Sequence, residues 1–175
     1  MMFGTRECFG YFQCADCGCL QIDSIPQDLH RFYPPDYGSF GRLGRVRPDL
    51  LNWLARRAIA GQSPRFLKSW ALARPFAGEV AHLAAYGLDL TRAAVLDVGA
   101  GAGARVAAFR RLGLVNAEGI DPFVETDILV DNVVLVRKAE IGTVDGRWSA
   151  ILFHHSLEHL PDQMAALQAA RRRLA

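Results

Sequence analysis

The feature that most constrains this chain is a short apolar run that ends in an acid and leads into a glycine-rich loop. The run Val95-Leu96-Asp97-Val98 is followed by Gly99-Ala100-Gly101-Ala102-Gly103, and a helical pattern begins directly afterwards. Glycines at alternate positions let the backbone turn sharply and approach a ligand closely. The N-terminus of the next helix directs backbone N–H groups towards that ligand. The arrangement predicts a nucleotide-type site at the carboxyl end of a parallel strand.

Two classes of ligand fit this loop, and Asp97 helps to separate them. Gly99-x-Gly101-x-x-Ala104 also satisfies the loose dinucleotide pattern G-x-G-x-x-G/A, but a carboxylate so close would repel a pyrophosphate. S-adenosylmethionine has no phosphate and carries an ammonium and a sulfonium, which an acid attracts. Asp121 ends a second apolar run near the spacing of about 20 residues at which an acid binds ribose hydroxyls. Because both ligands contain ribose, Asp121 supports the fold without choosing between them.

Three segments between about residues 94 and 162 resemble, in order, the motifs of class I S-adenosylmethionine-dependent methyltransferases. They are the run from Val95 to Gly103, the run Gly119-Ile120-Asp121-Pro122, and the run Phe153-His154-His155-Ser156-Leu157-Glu158-His159-Leu160-Pro161-Asp162. The resemblance implies that Asp97 and the glycine loop hold the methionine end of the cofactor and that Asp121 holds the ribose. The cofactor-binding residues predicted in this way are Asp97, Val98, Gly99, Ala100, Gly101, Gly103, Asp121, Pro122, His154 and His155.

Strand and helix patterns alternate from Ala94 onwards, which predicts an α/β fold with a Rossmann-like, doubly wound parallel sheet. We expect strands near 94–98, 115–120, 133–136 and 149–153, and helices near 103–112 and 161–174. The sheet of the resembled family has seven strands, whereas about four are visible here. We therefore expect a truncated chain, or a homo-oligomer in which another copy covers the open sheet edge.

Three regions are predicted along the chain. Residues 1–47 form a cysteine-containing, loop-rich arm, residues 48–92 a helical segment that packs on the core, and residues 93–175 the S-adenosylmethionine-binding core.

In the helical segment, Pro48 begins a helix with an apolar face of Leu50, Leu51, Leu54 and Ile59. A second helix runs from Ser63 to about Leu83, with Phe66, Trp70, Ala73, Phe76 and Val80 at helical spacing and a kink at Pro75. In the last helix of the core, Met164, Leu167 and Leu174 are expected to face inward.

The N-terminal arm contains half of a zinc-knuckle pattern. In Cys14-Ala15-Asp16-Cys17-Gly18 a C-x-x-C turn would direct two thiolates at one metal ion, but a structural site needs a second pair, and Cys8 and Cys19 lack the usual spacing. The arm resembles the N-terminal module of a methyltransferase subgroup, although the upstream C-x-x-C pair of that module is absent. Free buried thiols are favoured for the four cysteines over bound zinc, for which Cys14 and Cys17 are the candidates. In the same subgroup the tract from Tyr33 to Tyr37 lies near the active-site mouth, which makes both tyrosines site candidates.

The histidine-rich loop after the fourth strand allows three interpretations. In the first, His155 and His159 are catalytic: an imidazole takes the proton from the acceptor as it is methylated, with His155 favoured, and positioning supplies most of the rate. In the second, His155, Glu158 and His159 bind a metal ion. They resemble the E-x-x-E-H magnesium set of ubiquinone-pathway O-methyltransferases with His155 in place of the first acid, and they match the protease pattern H-x-x-E-H. Two imidazoles disfavour magnesium. In the third, Glu158 and His159 pair and cap the helix that begins near Pro161.

Composition limits the classes of partner. The 175 residues carry a formal net charge of +2, which gives no reason to expect nucleic acid. No apolar run is long enough for a bilayer, the start lacks the order of a signal peptide, and the cysteine usage favours a reducing cytoplasm.

Taken together with the motifs, the sequence predicts an S-adenosylmethionine-dependent methyltransferase acting on a small polar acceptor, by family analogy a sugar or another hydroxylated metabolite. The alternatives are an NAD(P)-dependent oxidoreductase and a non-catalytic S-adenosylmethionine-binding fragment.

Overall fold

The computed structural model describes residues 7–28, 32, 50–59, 61, 71–72 and 74–175, and the chain divides into two compact units, Met1–Tyr37 and Gly38–Ala175. In the first unit, strands β1 (Tyr11–Gln13) and β2 (Leu20–Ile22) form an antiparallel hairpin. The Cys14 N–H donates to the Cys19 carbonyl at 2.9 Å, which closes the turn between the strands. The region boundaries predicted at residues 47 and 92 remain predictions.

The second unit alternates strands and helices. Its helices are α1 (Leu50–Ile59), α2 (Ala77–Ala85), α3 (Ala104–Arg111) and α4 (Gln163–Arg173), with a 3₁₀ turn at Leu157–His159. Its strands are β3 (Ala94–Val98), β4 (Asn116–Ile120), β5 (Ile128–Val130), β6 (Val133–Arg137) and β7 (Ala150–Phe153). No helix in the described part of the chain is long and apolar enough to cross a bilayer.

The five strands form one sheet in the order β5-β6-β4-β3-β7. Strands β6, β4, β3 and β7 are parallel, and β5 pairs antiparallel with β6. The predicted strands are confirmed within one residue at each end, but β5 was not predicted. Its hairpin turn consists of Asp131 and Asn132, which both have positive φ, as a two-residue turn between twisted strands requires.

Buried side chains cover both faces of the sheet, which confirms the doubly wound α/β fold. On one face Val95, Ala117 and Leu135 pack with buried residues of α1, α2 and α3. On the other face Leu96, Val98 and Ile120 pack with Trp148 and with Ala166, Ala169 and Ala170 of α4. Successive strand residues therefore point to opposite helical layers, as the pleat of a strand dictates.

The buried faces of α1 and α4 differ from the prediction. Leu50 and Leu51 are exposed, whereas Asn52, Ala55, Ala58 and Ile59 are buried. In α4, Met164 and Leu167 are exposed, as is Leu174 directly after the helix, and the three alanines named above are buried. The buried face of α4 consists of small residues, which lets this helix approach its neighbours closely. Of the face predicted for α1, Ile59 is buried and Leu54 is half-buried, so the prediction was wrong for Leu50 and Leu51.

The chain breaks its helix at Pro75 instead of kinking it. Phe76 has a left-handed backbone with φ 63°, and α2 begins only at Ala77. A proline removes a backbone donor and clashes with the preceding turn, so the helix restarts after it. Of the residues predicted for this segment, Phe66, Trp70 and Ala73 lie outside the described residues.

Candidate active site

The glycine loop after β3 is held by the strands on either side. Gly99, Gly101 and Gly103 all have positive φ, between 53° and 84°. The N–H groups of Gly99 and Ala100 both donate to the Ile120 carbonyl, at 2.9 and 3.1 Å. A Cβ on Gly99 would lie 2.5 Å from the Ser156 Cβ. Gly99 therefore meets two requirements at once, a left-handed backbone and close contact with the segment that follows β7.

Residues from the other two motifs complete this packing. The Ser156 hydroxyl donates to the Val98 carbonyl at 2.6 Å and is buried. On β4, a Cβ on Gly119 would lie 2.5 Å from the Ala100 Cβ. The three sequence motifs are thus in direct contact, which places their polar residues around one loop at the carboxyl edge of the sheet.

Asp97 is a buried carboxylate beneath this loop. It is 3% exposed, and its Oδ2 lies 3.6 Å from Nε of Arg105. Burial raises the pKa of Asp97 to about 6; Arg105 opposes this rise, and Glu79 and Asp121 add to it. At neutral pH the carboxylate is therefore mostly ionised, in a position where a positively charged ligand group would stabilise it.

Arg105 and Glu79 are residues of this site that the sequence analysis missed. Arg105, in the first turn of α3, donates from Nη1 to Glu79 Oε2 of α2 at 3.5 Å. Its guanidinium carbon lies 5.4 Å from the centre of the Phe76 ring. The sequence signal that could have identified Arg105 is a charged residue just after the glycine loop, on the side of the helix that faces the sheet. Glu79 gave no such signal, because its contact spans 26 residues.

Asp121, the predicted ribose ligand, is buried and is bonded to the loop. Its Oδ2 accepts the Gly101 N–H at 2.8 Å, and its Oδ1 accepts the Phe123 N–H at 2.9 Å. An ionised carboxylate offers about four acceptor positions, so Asp121 retains capacity for a ligand hydroxyl. Pro122 follows it and is half-buried. The role of both residues in binding ribose remains a prediction.

The histidines after β7 have different environments. His154 is half-buried, and burial together with the nearby positive charge of Arg105 lowers its pKa, which favours a neutral imidazole. His155 is exposed, has φ 51°, and stacks at a tilt on His154 with ring centres 4.4 Å apart. His155 Nδ1 and His159 Nε2 lie 3.7 and 4.0 Å from the same oxygen of Glu158.

The structural interpretation of Glu158 and His159 is confirmed as a pair but is wrong for the cap. The cap of α4 is Asp162, whose carboxylate accepts the Ala165 N–H at 2.8 Å. Asp162 directly precedes the helix, the position from which a side-chain oxygen reaches the free N–H groups of the first turn.

Metal binding receives no support from the described residues, among which no group of three or more His, Cys, Asp or Glu side chains is arranged to hold a metal ion. This applies to His155, Glu158 and His159.

The four thiols are free; Cys14 is half-buried and the other three are exposed, so the expectation of buried thiols was wrong for those three. The hairpin turn leaves Cys17 and Cys19 at the surface.

Zinc at Cys14 and Cys17 is the alternative that the sequence analysis disfavoured, and metal analysis of the purified protein would test it. Backbone N–H groups of Cys17 and Asp16 hydrogen-bond to the Cys14 sulfur and lower the pKa of the thiol. Tyr33 and Tyr37, the other candidates from the N-terminal arm, lie outside the described residues.

Comparison with known proteins agrees with this geometry. A protein-family model described as a methyltransferase domain matches residues 68–175, more than half of the chain. The chain therefore belongs to the class I S-adenosylmethionine-dependent methyltransferases. No curated protein and no solved structure matches it significantly. The family does not support the NAD(P)-dependent oxidoreductase alternative.

The residues present fit the cofactor that the family implies. Side chains at Gly99 and Gly103 would clash with neighbouring residues. Only backbone atoms are therefore present at these positions for a ligand to contact. The buried carboxylate of Asp97 suits a ligand cation. A second buried polar atom, Nε of Arg105, has no hydrogen-bond partner and is therefore available to a ligand.

Proposed function

We propose that this chain binds S-adenosylmethionine at the carboxyl edge of β3, β4 and β7 and transfers its methyl group to a small polar acceptor, such as a sugar or another hydroxylated metabolite. The observation that carries the proposal is the buried carboxylate of Asp97, two residues before the first glycine of the loop. In this proposal Asp97 binds the methionine ammonium, Asp121 and Pro122 bind the ribose, and His154 and His155 contact the cofactor near the reacting methyl. The loop backbone, formed by Val98, Gly99, Ala100, Gly101 and Gly103, lies against the cofactor.

The reaction needs little covalent help from the protein. S-adenosylmethionine supplies a methyl group on a positively charged sulfur; the lone pair of the acceptor displaces it, and the S–C electron pair stays on sulfur. The chain holds the acceptor in line, which is where most of the rate arises. The acceptor hydroxyl or amine also loses a proton, and in this proposal His155, which follows β7, takes it, with His159 as the second candidate. Glu158 lies beside this base, with its Oε1 3.7 Å from His155 Nδ1.

Binding and turnover test the two halves of this proposal. Calorimetry with S-adenosylmethionine, S-adenosylhomocysteine and NAD should show binding of the first two, and binding of NAD alone would contradict the proposal. Transfer of labelled methyl to a panel of sugars and hydroxylated metabolites then tests catalysis. Cofactor binding without turnover on any acceptor would favour the non-catalytic alternative.

Substitution of His155 tests the assignment of the base. His155→Gln should lower kcat by about a hundredfold, since a positioned general base contributes roughly that factor, and should change cofactor affinity much less. His82→Gln, an exposed histidine of α2, serves as the control and should retain full activity. An unchanged kcat in His155→Gln would move the role to His159.

A further inference from the structure

Arg105 is held in the site by contacts that leave part of its hydrogen-bonding capacity unused. Nη1 lies 3.5 Å from Glu79 Oε2, and Nε lies 3.6 Å from Asp97 Oδ2. Hydrogen bonds between a guanidinium and a carboxylate are normally about 2.7–2.9 Å long, so both contacts are loose. Nε is buried and has no hydrogen-bond partner. Because an unsatisfied buried donor is costly, this position calls for a further acceptor.

The surroundings of Arg105 fix its place. The side chain is 13% exposed, and its guanidinium carbon lies 5.4 Å from the centre of the Phe76 ring, within the range of a cation–π contact. Phe76 has the left-handed backbone described above, which costs free energy for a residue with a side chain. The contact with Phe76 and the position of Arg105 in α3 therefore hold its guanidinium beside the glycine loop, next to the carboxylate of Asp97.

We propose that Arg105 binds the carboxylate of the cofactor's methionine group, while Asp97 binds the ammonium on the same carbon. This inference rests on the proposed function. An amino-acid group carries both charges on one carbon, and Arg105 and Asp97 offer the opposite charges with 3.6 Å between their nearest atoms. A planar guanidinium is the side chain best suited to a carboxylate. The ligand's carboxylate thereby supplies the acceptor that Nε lacks.

The test compares two ligands that differ only in that carboxylate. S-adenosylhomocysteine carries it, and its decarboxylated form, S-adenosyl-3-thiopropylamine, retains only the ammonium. We expect the wild-type protein to bind S-adenosylhomocysteine about 10- to 100-fold more tightly, the range expected for a hydrogen bond between charged groups. In Arg105→Gln the preference should fall to within about threefold, and Arg105→Lys should restore part of it. Arg171→Gln, an exposed arginine of α4, is the control and should behave as wild type.

Three results would overturn the inference. Equal wild-type affinity for the two ligands would do so without any variant, and this measurement decides the matter if Arg105→Gln does not fold. A change in Arg105→Gln that is equal for both ligands would make Arg105 only a counter-ion of Asp97. Binding of NAD that depends on Arg105 would assign the residue to a phosphate. If the wild type binds neither S-adenosylmethionine nor S-adenosylhomocysteine, the proposed function fails as well.

Discussion

Asp97 keeps a carboxylate where water hardly reaches it, and this placement is unfavourable for the protein without a ligand. The acid stands beside one arginine and close to two further acids, Glu79 and Asp121. The balance of these groups leaves its pKa well above the ordinary value of 3.8. A cationic ligand would relieve that imbalance. We infer that Asp97 lowers the stability of the ligand-free protein and raises its affinity for the ligand, a combination that is common at functional sites.

The stability of the ligand-free protein should therefore depend on pH through Asp97. The pKa is higher in the folded state, so the contribution of the group is fully present below about pH 4 and is lost as the pH rises through about 6. A difference between 3.8 and about 6 corresponds to about 3 kcal/mol, since one pKa unit is worth about 1.4 kcal/mol. Asp97→Asn should be more stable than wild type at pH 8 by up to that amount.

Urea denaturation of both proteins at about pH 5 and pH 8 measures this effect. The stability advantage of Asp97→Asn should grow by about 1 kcal/mol between the two pH values. Asp131→Asn is the matched control, because Asp131 is exposed in the turn between β5 and β6, where an asparagine tolerates positive φ. A difference that is the same at both pH values would show that Asp97 does not titrate as described.

At the scale of elements, the packing of β4 against the glycine loop depends on one residue without a side chain. A Cβ at Gly119 would lie 2.5 Å from the Ala100 Cβ and 3.1 and 3.2 Å from methyl groups of Val106 and Val136. These contacts come from the loop, from α3 and from β6.

Local patterns predicted the elements themselves, because strands and helices are encoded by periodicity. The short strand β5, the buried face of α4 and part of the buried face of α1 were missed, because neighbouring elements decide them.

Gly119→Ala should accordingly displace the loop. We expect a loss of about 1–3 kcal/mol in the free energy of unfolding, as for other insertions into a packed interior, together with weaker cofactor binding. Gly142→Ala is the control: Gly142 has nothing within 4 Å of an added Cβ and an ordinary backbone. Denaturation and cofactor titration of both variants measure the two effects. Equal stability of the two variants would show that the loop can move without cost.

At the scale of the whole parallel sheet, the site arises because strand ends meet at one edge. Asp97 is the last residue but one of β3, Asp121 follows β4, and His154 follows β7, and these strands are neighbours in the sheet. The three motifs could be predicted from the sequence because each is continuous and lies at a strand end, where α/β proteins bind ligands. The contact between Arg105 and Glu79 joins α3 to α2, and only the folded chain brings them together.

The affinity of Asp97→Asn for S-adenosylmethionine tests the central claim most directly. Calorimetry at neutral pH should give wild-type affinity for Asp131→Asn and an affinity about 10- to 100-fold lower for Asp97→Asn, because the variant loses a charged hydrogen-bond acceptor for the ammonium. Wild-type affinity in Asp97→Asn would contradict the claim that the buried carboxylate before the glycine loop binds the cofactor.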